Sequence, residues 1–86
     1  MFYVGQVVIS KAGRDKGLIF LVVGIIGNYL YIADGKTRKL SKPKKKKTMH
    51  VQLTHYHLPD EEISALQNGC LLDANVRRFL KCLRTI

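Results

Sequence analysis

Lysine and arginine recur in three short clusters: Lys11, Arg14 and Lys16, then Lys36, Arg38 and Lys39, then Lys42, Lys44, Lys45, Lys46 and Lys47. Cations at this spacing can neutralise a run of phosphates, releasing counterions and giving salt-sensitive affinity without a shaped pocket. The planar guanidinium forks of Arg14 and Arg38 can add geometry that an ammonium lacks. Tyr29 and Tyr31 stand at i and i+2, on one face of a strand. Their rings could stack on bases or pack in a core, and the spacing serves both. The lysine run reads equally as a solvated linker or as an import signal, since Pro43-Lys44-Lys45-Lys46-Lys47 has that composition.

Other chemistries find less support. No Gly-x-Ser-x-Gly elbow is present. Asp34-Gly35-Lys36-Thr37 ends like a phosphate-binding P-loop, but Leu30 stands where that motif needs glycine. Four of the six acids fall in the last third of the chain, where helix starts account for them. No catalytic residue is assigned, and the expectation is a protein that is not an enzyme and takes no small-molecule substrate. His55-x-His57 with Cys70 and Cys82 supplies four zinc-ligand types, yet the cysteines stand twelve positions apart rather than in a Cys-x-x-Cys clip. No metal and no cofactor is expected, and these four residues carry no assigned role. Cys82, beside an apolar stripe, is expected to be buried, and His50 to lie at the surface.

The chain that must position these groups has 86 residues, room for one small domain. Its formal net charge of +9 and pI near 9.9 suit a polyanionic partner. The charge is unevenly spread along the sequence. Residues 1–33 hold three basic residues against one acid, residues 34–57 eight against one, and residues 58–86 four against four. Two cysteines make no disulfide framework, which favours a reducing compartment. Met1-Phe2-Tyr3-Val4 lacks a basic leader start, and Leu18–Ile26 is too short to cross a bilayer. A cytoplasmic protein with no membrane partner is expected.

The stretch Val4–Ile26 organises the rest. Two runs rich in Val, Ile and Phe flank the polar loop Lys11–Gly17, as strand, loop and strand. Tyr3–Ser10 is the first strand, with Gly5 a bulge or close-approach point. Leu18–Ile26, apolar throughout, suits a strand covered on both faces; periodicity alone would also fit a short helix, and its β-branched content favours the strand. Gly27-Asn28 turns the chain back into Tyr29–Ala33, and Asp34-Gly35 predicts a tight hairpin into a fourth strand, Thr37–Leu40. Repulsion and Pro43 make residues 41–48 a basic, solvated loop. Met49–Thr54 alternates apolar and polar, predicting a half-buried closing strand. Several short strands with tight turns imply a small curled sheet or barrel over residues 1–57.

Residues 58–86 change character. Leu58-Pro59-Asp60-Glu61-Glu62-Ile63 starts a helix with acids in its first turn, Ile63 and Leu66 give it an apolar stripe, and Gly69 ends it. Asp73 reads as the N-cap of a second helix. Val76, Phe79, Leu80 and Leu83 fall at i, i+3, i+4 and i+7 there, while Arg77, Arg78, Lys81 and Arg84 take the other faces. The two short helices are expected to form an appendage packed on the sheet.

The motif Val7-Val8-Ile9-Ser10, basic loop, Lys16-Gly17 and a second apolar strand resembles a KOW motif, over about a quarter of the chain. With Ala33-Asp34-Gly35-Lys36-Thr37-Arg38-Lys39-Leu40 and the lysine run, the chain is similar to the fourteen-e family of large-subunit ribosomal proteins and their short bacterial relatives. The resemblance implies a mainly β fold, a small SH3-like β-barrel (KOW domain) followed by two short C-terminal helices. It also implies a ribosomal or ribosome-associated, non-catalytic RNA-binding protein whose partners are ribosomal RNA and ribosomal proteins. By position, Lys11–Lys16 matches the family's RNA-facing loop, and Arg38, Lys39 and Lys42 its basic hairpin edge. Leu18-Ile19-Phe20 departs from the family, which has a more polar residue there. A protein–protein adaptor of SH3-like type is the alternative from another class, although lysine dominates the surface and tryptophan is absent.

Overall fold

The computed structural model describes residues 1–84. Five antiparallel strands form one sheet: β1 (Gln6–Ser10), β2 (Ile19–Ile26), β3 (Tyr29–Ala33), β4 (Lys44–Lys47) and β5 (Val51–His57). Two helices follow, α1 (Asp60–Gln67) and α2 (Asp73–Arg84). The spatial order is β4-β3-β2-β1-β5, a meander whose last strand returns beside the first.

The edge strands β4 and β5 are joined by a single 3₁₀ turn, Thr48–His50. A flat sheet would set these edges ~19 Å apart, four strand spacings. The link from Lys47 to Val51 reaches ~14 Å at most. The sheet therefore bends, and the bend gives it an inside. Val8, Phe20, Val22, Leu30, Ile32 and Val51 fill that inner face.

The outer face is closed by the helices. Val7 and Leu21 meet Leu58, Val76 and Leu80 there in a second buried cluster. β2 thus buries Phe20 and Val22 on one side and Leu21 on the other, so its middle is covered on both faces as expected, whereas Leu18 before it and Ile25 and Ile26 at its end are exposed. α2 buries Val76 and Leu80 fully, with Phe79 and Leu83 at the margin. α1 buries nothing completely and rests on Ile63 and Leu66. Gly5 is the close-approach point: it has φ of +97°, and a Cβ there would stand 2.8 Å from Ile63 Cγ1. Its carbonyl also accepts the Leu58 N–H at 2.9 Å, which seats the entry to α1.

Several expectations are corrected. Residues 37–40 form no strand. The Asp34 carboxylate accepts the N–H groups of Lys36 (2.9 Å) and Arg38 (2.8 Å), and the Arg38 carbonyl accepts those of Asp34 and Gly35. The bonds that would have made a ladder close a local loop instead. The fourth strand is the lysine run itself, where a solvated loop was expected. Leu30 pairs with Lys46 and Ile32 with Lys44, so alternate lysines face opposite sides of the sheet. The fifth strand begins at Val51 rather than Met49 and continues to His57; only Val51 on it is buried, with Leu53 and Met49 exposed. Cys82 is exposed, not buried, and His50 is half-buried rather than at the surface.

Candidate functional site

The register fixes where the cationic loops lie. Ile9 pairs with Ile19, and Leu21 with Ala33, so the end of β1, the start of β2 and the end of β3 share one end of the sheet. Ile32 pairs with Lys44, which brings the start of β4 to the same end. The loops 11–18 and 34–43 are therefore neighbours. They carry Lys11, Arg14 and Lys16, and Lys36, Arg38, Lys39 and Lys42, all exposed.

Between these loops the charges are locked by one carboxylate. Asp15 Oδ1 accepts from Lys46 Nζ at 2.8 Å and from Ser10 Oγ at 2.6 Å, while Oδ2 accepts from Lys44 Nζ at 2.9 Å. Lys46 also donates to the Ala12 carbonyl at 2.7 Å. At 8% exposure, Lys46 is a buried cation, which such an environment tolerates only with partners of this kind. Burial by itself raises the Asp15 pKa. The hydrogen bonds from Lys46, Ser10 and Lys44, with the Lys44 charge, overcome that and hold the carboxyl well below the usual carboxylate range. The same bonds tie β4 across to the first loop and fix that loop's shape.

The lysine run thus divides by parity. Lys44 and Lys46 turn inward to Asp15, whereas Lys45 and Lys47 stay exposed on the outer face. Lys45 Nζ sits 4.4 Å from the centroid of the Tyr29 ring, a cation–π contact. Tyr29 and Tyr31 are half-buried, and neither belongs to either buried cluster.

A second cationic surface escaped the sequence reading. The loop 34–39 packs against the start of α2, and an open groove of about 850 Å³ runs between them. Lys36 and Lys39 line one wall; Arg77, Arg78, Lys81 and Arg84 line the other. The Arg77 guanidinium donates to the Gly35 carbonyl at 2.6 Å, and Asp73 Oδ1 accepts the Leu40 N–H at 2.8 Å. Asp73, expected as an N-cap, is the first helical residue, and its carboxylate holds the loop. Gly35 has φ of +77° and lies directly beneath the Asp73 carbonyl, with Val76 Cβ and Arg77 Cγ each 3.1 Å from where a Cβ would stand. Only glycine lets loop and helix approach this closely.

Among the described residues no three His, Cys, Asp or Glu side chains gather as a metal site. His57 Nδ1 lies 2.8 Å from the Leu58 carbonyl oxygen. No described helix is long and apolar enough to cross a membrane. No family model and no curated protein sequence matches the chain.

Proposed function

We propose that this protein is an RNA-binding module, ribosomal or ribosome-associated, built on an SH3-like barrel of KOW type. The observation that carries the reading is the set of seven exposed cations on two adjoining loops at one end of the sheet. The two acids of those loops are internally engaged, Asp15 by two lysines and Asp34 by backbone N–H groups. Asp15 is thus neutralised by its own lysines, and Asp34 alone sets one negative charge against the seven exposed cations, so the field at that end stays strongly positive. Such a field attracts a phosphate backbone and raises the association rate of a polyanion.

The bent five-stranded meander and its 3₁₀ link between edge strands support the small-barrel reading. RNA is favoured over duplex DNA because α2 spends one face, Val76 and Leu80, on the sheet and its sequence shows no set of base-reading residues such as a recognition helix carries. The reading assigns Lys11, Arg14, Lys16, Lys36, Arg38, Lys39 and Lys42 as phosphate contacts, with Lys45 and Lys47 as outlying ones. Lys44 and Lys46 act through Asp15, shaping the loop that meets the RNA.

Cosedimentation with ribosomal subunits in a sucrose gradient, at low and at high salt, tests the assignment. Comigration at low salt and release at high salt are expected. Failure to comigrate at either salt, with the protein folded, contradicts it.

A further inference from the structure

We propose that the groove between the loop 34–39 and α2 seats one strand of an RNA backbone, extending the loop surface along the helix. This rests on the RNA-binding reading and adds to it a second wall and a direction. The two walls carry six cations between them and only one acid, Asp34, whose carboxylate is taken up by its own loop. Like charges facing each other across a groove repel, and a polyanion between them relieves that repulsion.

The groove is held open without a ligand. Arg77 on the Gly35 carbonyl, Asp73 on the Leu40 N–H and the tight seat of Gly35 set the distance between walls. A preformed site loses less freedom when its ligand arrives. On α2, Arg77, Lys81 and Arg84 fall at i, i+4 and i+7, a row ~10 Å long. That row spans about three rises of ~3.4 Å, the reach of about four consecutive phosphates of a stacked strand.

The apolar lining says what is not read. It is Ala74 and Leu80, with no aromatic ring, so the groove offers no stacking platform. It takes backbone and is indifferent to base. Lys36 and Lys39 belong both to the groove and to the loop surface, so a strand crossing the loops continues into the groove.

The test compares the full chain with two triple variants, one of α2 (Arg78→Gln, Lys81→Gln, Arg84→Gln) and one of the first loop (Lys11→Gln, Arg14→Gln, Lys16→Gln). Arg77 is left intact because it holds Gly35. Binding of a roughly 12-nucleotide oligouridylate is followed against salt, and phosphatidylserine vesicles and polyglutamate serve as other polyanions. The α2 variant should keep the thermal midpoint of the parent chain and lose about 2 from its log–log salt slope, near 0.7 for each lost contact. An unchanged slope in the α2 variant, with the loop variant weakened, overturns the groove assignment alone. Loss of vesicle or polyglutamate binding in the α2 variant, with RNA binding untouched, overturns it in favour of another partner. Absence of RNA binding by the parent chain overturns the underlying reading, and the groove assignment falls with it.

Discussion

Asp15 faces two ammonium groups and a hydroxyl while mostly shielded from water, and that arrangement makes two measurable statements. Replacing it by Asn leaves Lys46 buried without a counter-charge, and a loss of about 3 kcal/mol of folding stability is expected by denaturant unfolding at neutral pH. The pH dependence follows from the depressed pKa. A carboxylate whose folded pKa lies below its unfolded value stabilises the fold fully above about pH 4. That contribution is lost progressively as the pH falls further, towards the folded pKa. The parent chain should therefore lose stability below about pH 4, and Asp15→Asn should show a flatter profile there. Gly35 gives a separate prediction. Gly35→Ala meets both an unfavourable φ and the Asp73 carbonyl, so a loss of at least about 1–3 kcal/mol is expected in thermal unfolding, along with loosening of the groove.

At the scale of elements, β4 separates the lysines into two kinds. Lys46→Ala removes a partner of Asp15 and should destabilise by a few kcal/mol, about the size of Asp15→Asn. Lys47→Ala, on the exposed face, should stay within about 0.5 kcal/mol. Equal effects at the two positions would contradict the parity seen in the sheet. α2 gives a second contrast: Leu80→Ala, at a fully buried site, should cost about 2–5 kcal/mol. Phe79, only partly buried, should cost less than a fully buried aromatic would.

These same elements show what the sequence could reveal. β-branched content and the turn signals around Gly27 and Asp34 located β2 and β3 to within a residue, and the 3.6-residue apolar stripes located both helices. Periodicity could not locate β4, because four identical lysines show no alternation. The signal was Asp15, the single acid among the first 33 residues, whose partners lie 29 and 31 positions away. Asp34-Gly35 did mark a turn, but the side-chain bonds of Asp34 closed it before a strand could follow. The groove was hidden for another reason. Charge summed along residues 58–86 is zero, yet the four acids sit at the helix starts and the four cations gather on α2. Only folding sorts them in space.

For the whole molecule, the antiparallel register puts the two cationic loops at one end of the sheet, and docking α2 beside the second of them lengthens that surface. The edge strand β5, which pairs with β1 on one side only, lies outside this surface and carries Gln52, Leu53, His55 and Tyr56 to solvent. The most direct test is to follow backbone amide chemical shifts while adding single-stranded RNA at low salt. The largest changes should fall in residues 11–17, 34–42 and the cationic face of α2, and should fade together as salt is raised. Changes centred on β5, with those loops silent, would contradict the account.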